Sequence, residues 1–210
     1  MARIRTPLPI LTLGFALLAI VPAGAGASPF SQMRGHIGFG YTKLFATIGV
    51  KEPGVEPPEE ITAPGGSMEV AAGLDLPIDT NLRAGIEAGI DLLGSSAIER
   101  GSLLGELDYS VFELLGLVHY APSWGGPLSR ISLGPGMFKA RADLSSSGAA
   151  AFEDLPVREW APGVAGSVTL MSRKPTKVSA GLEVGGRYLF MSDEAADDWF
   201  IASARVVIHY

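Results

Sequence analysis

Twelve ionisable residues fall on the polar parity of segments in which every second residue is apolar. They are Glu69, Asp75, Arg83, Glu87, Asp91, Glu106, Asp108, Arg130, Glu159, Glu183, Arg187 and Arg205. The cations in this set are all arginine. A guanidinium stays charged and presents a planar fork that can serve two carboxylates at once. The chemistry expected of the set is therefore an arginine–carboxylate network, centred on Glu69, Arg83, Glu87, Asp91, Glu106, Asp108, Arg130, Glu183, Arg187 and Arg205. Charges withdrawn from water must be paired or hydrated. Eight acids against four arginines leave negative charge that must lie near a rim, be protonated or be wetted. The three histidines, His36, His119 and His209, each fall near the end of an alternating segment. None lies beside a Gly-x-Ser-x-Gly elbow or in metal-ligand spacing, so each reads as a hydrogen-bonding residue. The sequence marks no catalytic residue, no metal ligand and no cofactor.

The segments that must position these groups are strands. "LRAGIEAGIDLL" is the clearest: Leu82, Ala84, Ile86, Ala88, Ile90 and Leu92 alternate with Arg83, Gly85, Glu87, Gly89 and Asp91. Helical spacing would mix these two sets, so a period of two is the better description. Similar alternation occurs in "HIGFGYTKLF", "SMEVAAGLDL", "ELDYSVFELLGLVHY", "LSRISLGPGMFKAR", "EWAPGVAGSVTLM", "VSAGLEVGGRYLF" and "FIASARVVIHY". In the fourth of these eight, counted along the chain, the phase blurs around Phe112-Glu113-Leu114, which suggests a bulge. Pro135 and Pro162 interrupt the fifth and sixth and suggest bends or unpaired positions. The stretches "VKEPGVEPPEEITAPGG", "LLGSSAIERGS" and "ADLSSSGAAAFEDLPV" read as long loops.

The N-terminal 27 residues carry Arg3 and Arg5, an apolar run from Leu8 to Val21, and Ala25-Gly26-Ala27 at a small-residue cleavage site. That is the pattern of a signal peptide over 1–27, with a single domain over 28–210. Removing Arg3 and Arg5 from 16 basic residues leaves 14 against 22 acidic ones, a net charge of −8. This acidity argues against a nucleic-acid partner. There is no cysteine, so neither disulfides nor a lipidated cysteine can hold or anchor the domain.

The two faces of the strands decide which solvent each one meets. The polar face is rich in glycine, alanine and serine around isolated charges, which suits a narrow interior better than a solvated surface. The other face is apolar, with aromatics Phe39, Tyr41, Tyr109, Trp160, Tyr188, Phe190, Phe200 and Tyr210 on its parity. Rings near strand ends fit the headgroup level of a bilayer. Connectors that alternate long and short complete the expectation: an all-β, eight-stranded antiparallel up-and-down transmembrane β-barrel, inside out relative to a soluble one.

The signal peptide, the "GFGYTKLF" opening, "VHYAPSWGGPLSRISLGPG" and the final "ARVVIHY" together resemble the small eight-stranded outer-membrane β-barrel proteins, OmpA/OmpW-like in shape. The resemblance covers nearly all of residues 28–210. It implies residence in the cell outer membrane, contact with its lipid, a monomer, and a terminal strand read by the barrel-assembly machinery. Val206, Ile208 and Tyr210 match that insertion pattern, with Tyr in place of the more usual terminal Phe. For function, the expectation is a structural or interaction barrel with a side-chain-filled interior. A narrow, cation-favouring transport channel is the alternative. A lipid-modifying barrel enzyme and a soluble lipocalin-like carrier stand behind it.

Overall fold

The computed structural model describes residues 32–50, 59–62, 67–100, 103–122, 128–147, 157–171, 178–192 and 198–210. The expected signal peptide lies outside the described residues. The strands are β1 (Arg34–Phe45), β2 (Thr47–Val50), β3 (Glu59–Thr62), β4 (Ser67–Pro77), β5 (Leu82–Arg100), β6 (Leu103–Tyr120), β7 (Leu128–Ser147), β8 (Val157–Met171), β9 (Ser179–Leu189) and β10 (Trp199–His209). Eight of them close into a barrel in the order β1-β10-β9-β8-β7-β6-β5-β4, while β2 and β3 pair separately. Every neighbouring pair in the barrel is antiparallel. Closure runs from His36 opposite His209 to Phe45 opposite Phe200. A closed ladder leaves no edge strand, so every barrel strand finds backbone partners on both sides.

Burial follows the two-residue period, with the sign inverted from that of a soluble sheet. Leu133 is 66 % exposed, Met68 63 % and Val184 53 %, whereas Glu69 is 0 %, Glu87 1 % and Arg205 5 % exposed. Apolar side chains form a continuous outer belt: Ile37, Phe39 and Tyr41 on β1, Ile86 and Ile90 on β5, Leu182 and Val184 on β9. A patch of that size far exceeds what a water-soluble monomer exposes. Hydrocarbon is the solvent it fits, because closed ladders satisfy the backbone and greasy side chains satisfy the lipid. Rings gather towards the long-connector end of the belt, with Phe112 edge-on to Trp160 and Phe45 against Phe200. Lys139 sits over the Trp160 ring there.

Three expectations about strand limits need correction. The segments 92–100 and 142–147 are not loops. β5, β6 and β7 continue as paired ladder well past the belt, from Ser95 opposite Asp108 to Arg100 opposite Leu103, and from Asp108 opposite Asp143 to Leu104 opposite Ser147. Beyond the hydrocarbon a strand has no reason to keep apolar residues outward, so the alternation that identifies the lower part fades. The connector after β1 likewise contains the β2–β3 hairpin, and the rest of that stretch lies outside the described residues. Nor is there a bulge at 112–114, where Phe112, Glu113 and Leu114 pair in register with Ile90, Gly89 and Ala88.

The register shift of the β5–β6 ladder falls instead on β5, between Leu92 and Gly94, and a second lies between Leu128 and Arg130 in the β7–β8 ladder. Gly94 has φ +78° there, a backbone that L side chains adopt at a cost. The extra residue tucks Leu93 into the interior, where it is fully buried. Because a Cβ at 94 would meet no neighbour, Gly94→Ala isolates the backbone term. It should lower unfolding stability in detergent micelles by about 1 kcal/mol, read as a shifted urea midpoint. Pro135 behaves as its missing N–H requires. The β6–β7 ladder is interrupted between Leu115–Gly136 and Val118–Leu133 and resumes in the same register. Pro162 stays within the β7–β8 ladder, opposite Met137.

Candidate functional site

The interior of the barrel is where the chain concentrates its chemistry, and it is built in two layers. The layer nearer the short turns is ionic. The Arg205 guanidinium, rising from β10, donates to three carboxylates on three other strands. Nε reaches Glu183 Oε1 at 2.8 Å, Nη1 reaches Glu69 Oε1 at 2.8 Å, and Nη2 reaches Glu87 Oε2 at 2.8 Å and Glu183 Oε1 at 2.5 Å. Arg187 on β9 bonds Glu69 as well, lies 2.5 Å from Glu113 through Nε, and lies 3.9 Å from Asp91. Arg130 on β7 donates to Glu183 Oε2 at 2.8 Å and to Asp75 Oδ2 at 3.2 Å. Thr169 on β8 adds a hydroxyl donor to Glu183 Oε2 at 2.7 Å. Glycines and alanines on neighbouring inward positions leave room for these long side chains. A Cβ at Gly89, for example, would lie 2.6 Å from Glu113 Oε1.

The histidines join the same layer near the short-turn end. His36 Nε2 lies 2.8 Å from Glu87 Oε2, and its Nδ1 lies 3.6 Å from Asp75 Oδ1. His119 bonds the Ser132 hydroxyl through Nδ1 at 2.8 Å, and its Nε2 lies 3.0 Å from Asp75 Oδ1. The His209 ring is 5.5 Å from that of His36, its cross-strand partner.

Above the ions the interior turns apolar. Leu44, Leu93, Val111, Phe138, Leu189, Trp199 and Ile201 are buried in one cluster with Tyr109 and inward alanines of β7 and β8. Tyr109 meets Trp199 edge-on at 6.3 Å. Among the described residues, one cavity beside Glu87, Glu183, Arg187 and Arg205 measures about 20 Å³, room for roughly one water.

The predicted network residues separate into three groups. Glu69, Glu87, Asp91, Arg130, Glu183, Arg187 and Arg205 are buried inside and come together as described. Arg83 sits at the rim, where its Nη2 donates to the backbone carbonyls of Gln32 at 3.1 Å and Asp75 at 3.3 Å. Glu106 and Asp108 point outward and are exposed, which corrects their placement in the interior. Glu106 accepts from the Ser95 hydroxyl on the outer face. On β6 the inward residues are Leu107, Tyr109, Val111, Glu113, Leu115, Leu117 and His119. Tyr109 therefore belongs to the interior and not to the outer aromatic set, and Glu113 is the β6 carboxylate that enters the network. The insertion residue Val206 lies exposed on the outer face of β10, Ile208 is half-buried, and Tyr210, just past the end of β10, is exposed.

No protein-family model matches the sequence. No curated protein matches it either. Among solved structures, the chain is similar to the outer membrane protein OprG from Pseudomonas aeruginosa, at 9 % identity and TM-score 0.49, over 85 % of this chain and 94 % of that one. It is also similar to Neisserial surface protein A, at 12 % identity and TM-score 0.48, over 88 % and 97 %. The outer membrane protein AlkL, solved in DMPC lipid bilayers, gives 16 % identity and TM-score 0.47, over 90 % and 94 %. Likeness at TM-scores below 0.5 supports no inference of role. What the chain's own geometry establishes is an inside-out, eight-stranded closed barrel whose lumen is filled by an ion network capped with an apolar plug.

Proposed function

We propose that the chain is an integral outer-membrane barrel with a sealed lumen and a structural or interaction role, and that it performs no catalysis. The observation that carries this reading is the filled interior. Arginines cross-link carboxylates from β4, β5, β6 and β9, and Phe138, Leu189, Trp199 and Ile201 close the lumen above them. An ion crossing such a plug would shed its water against hydrocarbon side chains, at a cost of several kcal/mol or more. The interaction role is supported by the raised ladder of β5, β6 and β7, which presents Asp108 and Arg141 outward beyond the apolar belt. There Arg158 Nε donates to Asp143 at 2.7 Å and Arg141 Nη2 at 3.0 Å. Within the same proposal the barrel is a monomer surrounded by outer-membrane lipid. The assembly machinery reads Val206, Ile208 and Tyr210 during insertion.

The alternative of a cation-favouring channel draws on the excess of carboxylates in the ionic layer. Planar-bilayer recording separates the two readings. The folded barrel should pass no ion current above the lipid baseline. Stable, cation-selective steps from heat-modifiable protein would replace the sealed barrel with the channel.

A further inference from the structure

We propose that the short-turn end of the barrel holds a divalent transition-metal ion, Zn2+ in the first instance, on His36, Asp75 and His209, with His119, which reaches Asp75 from outside that cluster, closing in as the fourth ligand. Donor atoms of the first three residues all lie within 4.8 Å of one another. His119 Nε2 approaches the same carboxylate oxygen at 3.0 Å. Ligands about 2.0–2.1 Å from a tetrahedral Zn2+ stand about 3.4 Å apart. The His36 Nδ1–Asp75 Oδ1 distance of 3.6 Å and the His119 Nε2–Asp75 Oδ1 distance of 3.0 Å bracket that value.

Three independent features point the same way. First, His36 Nδ1, Asp75 Oδ1, His119 Nε2 and His209 Nε2 are all buried atoms with no hydrogen-bond partner outside this group among the described residues, and His36 and His119 are each 1 % exposed. Simple pairing of Asp75 with His36 and His119 would account for three of these atoms. It gives His209 nothing, whereas a shared cation accounts for all four. Second, the far side of three of the four ligands is already held. His36 Nε2 is fixed by Glu87, His119 Nδ1 by Ser132, and Asp75 Oδ2 by Arg130. Carboxylate or hydroxyl support behind a ligating imidazole is the usual outer shell of such a site. Third, the glycine at 85 keeps the space clear, since a Cβ there would stand 2.5 Å from Asp75 Oδ1 and 2.6 Å from His119 Nε2.

Charge balance agrees. The buried carboxylates Glu69, Asp75, Glu87, Asp91, Glu113 and Glu183 outnumber Arg130, Arg187 and Arg205 by six to three. Ligating histidines must be neutral, so the cluster adds no positive charge of its own, and a divalent ion there would offset part of the carboxylate excess. Imidazole ligands select Zn2+, Cu2+ or Ni2+ over Ca2+ and Mg2+. The sequence hides the site because residues 36, 75, 119 and 209 meet only through strand register.

The test uses untagged full-length barrel, refolded into detergent micelles and stripped with chelator. Zn2+ is titrated calorimetrically, and bound metal is counted after gel filtration. One Zn2+ per heat-modifiable chain is expected. The His209→Ala variant alters a half-exposed residue at a strand end, so the barrel should still fold, and it should bind at least about tenfold more weakly. Co2+ should give the intense visible bands of a tetrahedral nitrogen–oxygen site in the parent and weaker ones in the variant. Folded parent that retains no Zn2+, or His209→Ala that retains it with unchanged affinity, overturns the assignment.

Discussion

Replacing Arg205 with alanine should destabilise the folded barrel by about 3–5 kcal/mol, the usual cost of leaving a buried charge without its partner. Arg205 contacts Glu69, Glu87 and Glu183 at 2.5–2.8 Å, and those carboxylates are 0–2 % exposed. They belong to β4, β5 and β9 while Arg205 belongs to β10, so one side chain ties together strands on both sides of the β1–β10 closure. Removing it takes the shared cation from three buried carboxylates, which keep only Arg187, Arg130, Thr169 and His36 as partners. Arg205→Lys should recover only part of the loss, because an ammonium is a single point and cannot span three acceptors in a fixed fork. Urea unfolding in detergent micelles, followed by the heat-modifiable gel shift, reads both variants. A midpoint for Arg205→Ala that corresponds to a change within about 0.5 kcal/mol of the parent, the range of inert surface substitutions, would mean the network bears no strain-sensitive load.

The second large effect is on the outer face. Val184→Arg should cost about 2–4 kcal/mol for a barrel folded into lipid, as arginine does near a bilayer midplane. Val184 lies in the middle of β9, between Val168 of β8 and Ala204 of β10, and is 53 % exposed. The matched control is Ala97→Arg. That residue is exposed too, but sits on the part of β5 that rises beyond the apolar belt, opposite Glu106. It should change stability by less than about 0.5 kcal/mol. Reversible urea titration of the refolded protein in lipid vesicles measures both. Equal, small effects at the two positions would mean that the outer face meets water at both heights.

The contrast between these two positions also explains what was legible in the sequence. Within the belt, the chain has one greasy neighbour outside and one ionic neighbour inside. Leu82 to Leu92 therefore spells out the strand, its length and its two faces residue by residue. Above the belt the outside becomes water and the inside becomes the apolar plug, so the same alternation reverses its chemical meaning. β6 crosses that boundary. Glu106 and Asp108 share a polar character with the lower interior residues but face outward, while Glu113, of opposite parity, faces in. A single period carried along the strand reads that reversal as a bulge. The actual register shift, at Leu92–Gly94, is carried by one left-handed glycine among many that are not. Pro135 was readable because a missing donor has one consequence in any sheet. The meeting of His36, Asp75, His119 and His209 was not, because it depends on how five strands are staggered rather than on spacing in any one of them.

The direction in which each face looks is directly measurable, because the chain has no cysteine. Single cysteines at positions 182, 183, 184, 185, 187 and 188, spin-labelled in refolded barrel in lipid vesicles, would be compared for collision with oxygen and with a water-soluble nickel chelate. High oxygen access is expected at 182, 184 and 188, and protection from both reagents at 183, 185 and 187. Labels at 182 and 184 that collide freely with the nickel chelate, or oxygen access without a two-residue period, would contradict that orientation.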